Sequence, residues 1–312
     1  MPKLPTQRYL QYTIDPISAG GLLTTSKYIN VVRDLASVNR HNVQHTSNKG
    51  VPLVYRCAVT LSPFVVHGNG SDEYNQVLFG DNQLVQQVDL TTIPNTWVTR
   101  NAIVKTHAAR ENMFKLQGVK RSERGAYSKT MRMGFEGTTF LSPLRGPTAA
   151  GAAYDVSGWD YSALKQDDAD LSLTHVTGDS GLISLYLDSR KQIDADSNSD
   201  DDNTNQPVDN NILRKLLSPT LGISSRDDDV TALARDEADN PPYSLDNNGD
   251  HTDMCTIGRL TIGQQVAFTA TRIIDIPLGL LNCRFRNMFV DAGSSTSPGA
   301  EISIEVLGVY EM

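Results

Sequence analysis

The sequence is poor in the residues that build covalent or metal-held frameworks. It has three cysteines, Cys57, Cys255 and Cys283, with no CxxC spacing. That is too few and too scattered for a disulfide scaffold or a thiolate metal site, so all three are expected as buried thiols. Its two tryptophans are Trp97 and Trp159, and aromatic residues make up 7%. No apolar run approaches the roughly 18 residues that a membrane span needs. The opening Met1-Pro-Lys-Leu-Pro5 lacks the apolar stretch of a signal peptide. There is no Walker A loop, GxGxxG, HExxH or GxSxG, the motifs that would announce nucleotide, zinc-protease or serine-hydrolase chemistry. The six histidines are scattered. His41 and His45 share i,i+4 spacing, but no Glu or Cys lies near them in sequence to complete a metal site. An enzyme is therefore not expected. Carboxylates are abundant, but most sit in polar loops with no apolar pocket to shift their titration.

What is present fits a folded chain. Its 312 residues provide about two domains of ~150 residues or one large β domain. With 39% hydrophobic and 21% charged residues it is not mostly disordered. The net charge of −8 hides a division. Residues 1–154 carry 17 Lys+Arg against 9 Asp+Glu, residues 155–253 carry 7 against 22, and residues 254–312 carry 4 against 5. These blocks define a basic half, an acidic loop-rich insertion and a C-terminal strand region. Either the blocks form separate surfaces with different partners, or folding interleaves them and no patch results.

The pattern along the chain is mainly that of strands. Residues 8–14 read as a strand ended by Asp15-Pro16. Residues 26–39 fit a short helix with Ser26 as N-cap and Ile29, Val32, Leu35 and Ala36 on one face. Residues 51–61 are a good strand and 83–90 a weaker one. Residues 97–116 contain no Gly or Pro and are the best helix, with Gly118 a plausible stop. A basic loop then leads into a strand near 131–141, a Gly/Ala linker occupies 145–153, and 181–188 alternate as a strand. Residues 192–210 are acidic and polar and supply no core. A short helix fits 211–217, before Pro219. After residue 253 four strands are expected at 256–262, 264–275, 278–285 and 301–309. About ten strands with one or two helices, and no recurring strand–helix–strand order, exclude a doubly wound sheet. They fit an antiparallel sandwich, including the jelly roll, with long loop insertions.

Two segments carry candidate binding chemistry. From 100 to 132 nine cations occur, Arg100, Lys105, Arg110, Lys115, Lys120, Arg121, Arg124, Lys129 and Arg132, opposed only by Glu111 and Glu123. On the helix, Arg100, Lys105 and Arg110 are expected near one another. The stretch either tracks phosphates without reading sequence or is a solvated helix face and loop. The second segment, Asp194-x-Asp196-x-Asn198-x-Asp200-x-Asp202, imitates the start of a calcium loop. Ser199 and Asn205 stand where an EF-hand needs Gly and Glu. It is either a solvated acidic loop or a set of carboxylates (Asp194, Asp196, Asp200, Asp202) holding Ca2+ between subunits.

Three further segments carry a resemblance. Tyr9-Leu-Gln-Tyr-Thr-Ile-Asp15 is followed by Leu35-Ala-Ser-Val-Asn-Arg40, and Ile93-Pro-Asn-Thr-Trp97 opens an amphipathic helix. Ile276-Pro-Leu-Gly-Leu-Leu281 precedes a final alternating strand ending Leu307-Gly-Val-Tyr310. In order and spacing, over about a fifth of the chain, they resemble capsid proteins of small single-stranded DNA viruses, in particular smacovirus-like ones. The resemblance implies a jelly-roll major capsid protein of the virion. Such a protein self-assembles into an icosahedral shell from trimers or from pentamer and hexamer capsomers, encloses a single-stranded DNA genome, meets a host receptor and has no catalytic residues. The basic half would line the interior and the acidic insertion would face outward. The chain departs from that pattern in lacking a strongly basic N-terminal arm: only Lys3 and Arg8 occur before residue 27. This leaves a second capsid reading, a double jelly roll from a membrane-containing phage, with an inner membrane beneath the shell. Sixteen strands in 312 residues would leave about 20 residues each. Outside this class stands a β-sandwich module binding carbohydrate or protein, with Trp159 and Tyr161 as a contact pair.

Overall fold

The computed structural model describes residues 5–14, 24–63, 85–125, 128–135, 140–145, 153–166, 169–178, 181–189, 211–217, 254–263, 269–287 and 300–312. The element order is β1 (Tyr9–Ile14), β2 (Thr24–Asn30), α1 (Val31–Asn39), β3 (Leu53–Pro63), β4 (Val85–Thr92), α2 (Trp97–Leu116), β5 (Ala163–Gln166), β6 (Ala169–Ser172), α3 (Leu182–Asp188), α4 (Ile212–Leu217), β7 (Cys255–Gly263), β8 (Ala270–Pro277), β9 (Leu280–Asn287) and β10 (Ala300–Glu311).

Two four-stranded antiparallel sheets result, in the orders β1-β10-β3-β8 and β2-β9-β4-β7, with β5-β6 a separate pair. Strand alternation dictates the layering. In β10, Ile302, Ile304 and Val306 are buried while Glu305 is exposed. In β1, Leu10, Tyr12 and Ile14 are buried and Tyr9 is exposed. Successive side chains point to opposite faces, so each sheet offers one apolar face and the two close on each other. Most of the inward residues join a single core that contains Tyr12, Tyr55, Leu90, Phe285 and Ile302. Each such side chain contributes about 1.5–3 kcal/mol on burial. Consecutive strands change sheet, except that β4 and β7 pair within the second sheet. Between them the chain makes its long excursion over residues 93–254.

That excursion builds a second core. Helix α2 packs on α3, α4 and β5, burying Val98, Ile103, Leu182, Tyr186 and Leu213 together with Met133 and Phe135. This core draws on residues from both sides of position 154, and it joins the sandwich through Tyr28, Ile93, Leu278 and Leu280. It covers one end of the second sheet's outer face, where Tyr28 stacks obliquely on Phe135 and Phe140 at 5.7 and 6.0 Å.

Several local expectations hold and three need correction. Helix α2 has the expected bounds, with Thr96 capping Thr99 N–H and Gly118 at φ +72° just beyond the end. Residues 24–30 form a strand and only 31–39 are helical, so the N-cap is Asn30, whose side chain accepts from Arg33 N–H, and not Ser26. Ser26 is instead paired with Arg284 in the second sheet, because β2 is needed to extend β9. The alternating run 181–188 is helix α3. Leu182, Ile183 and Tyr186, at i, i+1 and i+4, all reach the second core, and a short apolar run does not separate the two periods. Residues 131–135 form no strand; single backbone bonds tie Arg132 to Ser162 and Gly134 to Leu173. The linker at 145–153 lies mostly outside the described residues.

The turn Leu278-Gly279 crosses from one sheet to the other, and both residues have positive φ, 55° and 64°. Gly279 C=O accepts from Val31 N–H, and a Cβ on Gly279 would stand 2.9 Å from Val32 Cγ2. Left-handed backbone costs a non-glycine residue about 1–2 kcal/mol, and crowding adds to it. Gly279→Ala is therefore expected to lower the urea midpoint by the equivalent of about 1–3 kcal/mol. An unchanged midpoint would show that the turn relaxes freely.

Candidate polyanion-binding surfaces

The nine cations of 100–132 do not form one surface. A step of five residues turns an α-helix by about 140°, so Arg100, Lys105, Arg110 and Lys115 spread around α2 instead of lying together, as was expected of the first three. Arg110 is buried: its Nη1 donates to Ser128 C=O at 2.8 Å and its guanidinium lies 4.9 Å from the Phe114 ring centre. Burial, then the nearby charge of Arg124, pushes Arg110 down to about 10. Arg124 grips Glu111 with two hydrogen bonds of 2.8 and 2.7 Å and lies 4.6 Å from the same ring. Arg132 lies 5.7 Å from the Trp159 ring centre. These three arginines hold the second core and its loops together. Arg100, Lys105, Lys115, Lys120, Arg121 and Lys129 are exposed. The acidic candidates Asp194, Asp196, Asp200 and Asp202 lie outside the described residues. Among the described residues no cluster of His, Cys, Asp or Glu has metal-holding geometry.

A better-organised charge cluster lies on the outer face of the second sheet. Asp89 on β4 stands opposite Arg284 on β9 and opposite Arg259 on β7. Arg259 donates to both carboxylate oxygens, at 2.6 and 3.3 Å, and Arg286 Nε lies 3.3 Å from Oδ2. Gln87 Nε2 also donates, at 3.1 Å. Burial pushes the Asp89 carboxyl up, but the bonds from Arg259 and Gln87 and the two arginine charges outweigh it and hold the group below the usual carboxylate range. Asp89 is 3% exposed, whereas the Arg259 and Arg286 side chains are 55% and 44% exposed. One sunken carboxylate thus orients two arginines, with a third, Arg284, beside them. The sequence reading missed this cluster. The only signal was Arg284-Phe-Arg286 within a predicted strand, an i,i+2 spacing that puts both cations on one face.

The first sheet's outer face has the opposite sign. The outward positions of β10, β3 and β8 bring Glu301, Glu305 and Asp275 together with Arg56. Among the described residues five large apolar side chains are exposed: Tyr9, Ile273, Leu307 and Tyr310 belong to strands of this sheet, and Leu116 ends α2. Charge therefore divides across the slab of the sandwich as well as along the chain.

The aromatic pair proposed for a binding module is largely occupied. Trp159 carries Arg132 over its ring and His45 edge-on at 5.8 Å. Tyr161 lies against Gly134, where a Cβ would stand 2.5 Å from its ring, and near Phe140 at 6.5 Å. The cavity of about 420 Å³ beside Trp159 is lined by charged and polar groups, among them Arg40, His41, Arg132 and Asp155. Cys57 and Cys283 are buried, Cys255 half-buried, and all three are free thiols. No described helix is long and apolar enough to cross a membrane. Comparison with protein-family models, curated proteins and solved structures finds no match for this chain.

Proposed function

We propose that the protein is a viral capsid subunit whose sandwich is a jelly roll, assembling with copies of itself into a closed shell around a single-stranded DNA genome. The observation that carries this reading is strand order. Lettered B to I along the chain, the eight sandwich strands run B-I-D-G in one sheet and C-H-E-F in the other, the pairing expected of two interlocked Greek keys. The long excursion then falls in the E–F connection, where an insertion leaves the sandwich pairing intact. Ten strands among the described residues, eight of them in one sandwich, favour the single jelly roll over the double one.

A slab with one acidic, apolar-studded face and one basic, polar face suits a shell subunit that meets protein on one side and a polyanion on the other. The β-sandwich binding module is the second reading. It needs an open aromatic groove, and the packing around Trp159 and Tyr161 disfavours it. Calcium between subunits and a host receptor belong to this proposal as partners; an inner membrane belongs to the double jelly-roll alternative.

Light scattering of the purified protein, confirmed by negative-stain electron microscopy, tests the reading. Closed particles or stable capsomers are expected. A monodisperse 34.2 kDa monomer at every salt and calcium concentration would overturn it in favour of the binding module.

A further inference from the structure

We infer that the outer face of the second sheet is a docking surface for the phosphate backbone of single-stranded nucleic acid, with Arg259, Arg284 and Arg286 as its contacts and Asp89 as the anchor that orients Arg259 and Arg286. The inference rests on the shell reading for the source of that polyanion, the enclosed genome.

Three features of the face point to this occupant. The first is charge: three arginines stand on this face against one carboxylate, which is sunken and saturated by donors from Arg259, Arg286 and Gln87. The remaining positive charge points outward on exposed side chains. The second is pre-organisation. A guanidinium has five donors in a planar fork, and an arginine already held on one edge loses less rotamer freedom when its free edge meets a phosphate. Arg284 and Arg286 are two residues apart on β9, about 6.6–6.8 Å along the strand. Arg259 lies two strands away, about 9–10 Å across. The three therefore form a platform several phosphates wide.

The third feature is what the face lacks. The other outward residues here are Ser26, Gln87, Thr91, Thr261 and Asn282, and no exposed large apolar side chain lies on this sheet among the described residues. Protein interfaces carry an apolar centre; the exposed apolar strand residues lie on the opposite sheet. A polar, cationic surface without apolar anchors suits a backbone polyanion bound without base readout. The second core covers the far end of the same sheet, and among the described residues nothing covers this end.

The test titrates the full chain against a fluorescein-labelled oligo(dT) of about 20 nucleotides, reading anisotropy across a salt series. Each phosphate contact to a single strand contributes about 0.7 to the slope of log K against log salt. The variant Arg259→Gln/Arg284→Gln/Arg286→Gln is expected to lower the slope by about 2 and to weaken binding roughly a hundredfold at about 50 mM salt. The helix variant Arg100→Gln/Lys105→Gln/Lys115→Gln is expected to lose much less. Should the triple sheet variant fold poorly, Arg284→Gln leaves Arg259, Arg286 and Gln87 on Asp89 in place and is expected to lower the slope by about 0.7.

A wild-type slope in the sheet variants overturns the inference, and so does a loss confined to the helix variant. A sheet variant that changes the oligomeric state of nucleic-acid-free protein while keeping the slope also overturns it, because the face would then contact a second copy. The two proposals fail separately. Wild-type protein that loses oligo(dT) affinity on sheet substitution but never forms particles keeps this inference and sinks the shell. Particles whose sheet variants bind like wild type do the reverse.

Discussion

Asp34→Ala is expected to destabilise the protein by about 3–5 kcal/mol, a large part of the 5–15 kcal/mol that holds an ordinary domain folded. Asp34 is fully buried at the fourth position of α1. It accepts from Arg33 Nε at 2.7 Å and from the Tyr12 hydroxyl at 2.7 Å. Arg33 is 5% exposed, donates onward to Leu141 C=O and lies 5.2 Å from the Phe140 ring centre. This small network ties the first sheet, helix α1 and residues 140–141 together. Removing the carboxylate leaves a guanidinium in the interior with a carbonyl and a ring for company. Most of the loss is therefore the cost of an unpaired buried charge, not the worth of the pair. A double-mutant cycle separates the two: Arg33→Met/Asp34→Ala is expected to recover much of the stability lost in Asp34→Ala. Urea midpoints measure it, and additive losses in the double variant would refute the account.

Between about pH 6 and pH 4 stability is expected to be pulled in opposite directions, by buried Asp34 one way and by buried His45 and half-buried His107 the other. Burial pushes the Asp34 carboxyl up from 3.8 to about 6, against the opposing charge of Arg33. A raised pKa means that the folded state holds the proton more tightly. The contribution of Asp34 is then fully present below about pH 3.8 and lost as pH rises through 6, so acidification across this window stabilises by about 3 kcal/mol. Burial pushes the His45 imidazole down from 6.5 to about 4, despite the bond from its ring to Leu278 C=O at 2.7 Å. Here the unfolded chain binds the proton more readily, so acidification from 6.5 to 4 destabilises by about 3 kcal/mol. Asp89 and Glu111 are both held low by arginines and begin to subtract only below about 3.8 and 4.5. His45→Asn removes one side of the balance. Whatever its stability at pH 7, it is expected to gain about 3 kcal/mol relative to the wild type on acidification to pH 4. Parallel wild-type and variant curves in urea-midpoint series would defeat this assignment.

Strand alternation alone located β1, β3 and the C-terminal strands, because a half-buried strand writes its burial into a period of two. Freedom from Gly and Pro over 97–116, with Thr96 before and Gly118 after, did the same for α2. These features are local, so sequence carries them. Residues 26–30, expected as the start of a helix, and 181–188, expected as a strand, went the other way. Both are short segments compatible with either period, and their neighbours decided: β9 drew 24–30 into a sheet, and α2 gave 182–188 a helical seat. The candidate binding surface was less legible still. Proximity in sequence pointed to Arg100–Arg132, yet Arg110, Arg124 and Arg132 turn inward to Ser128, Glu111 and Trp159. The arginines that share one face, Arg259, Arg284 and Arg286, gather around an Asp89 some 170 to 197 positions earlier in the chain. The sequence determined how much charge the chain carries and which stretches pleat or coil. Only antiparallel pairing decided which charges meet, since register across strands is set by burying the opposite face, where Val88, Leu260 and Phe285 close the core.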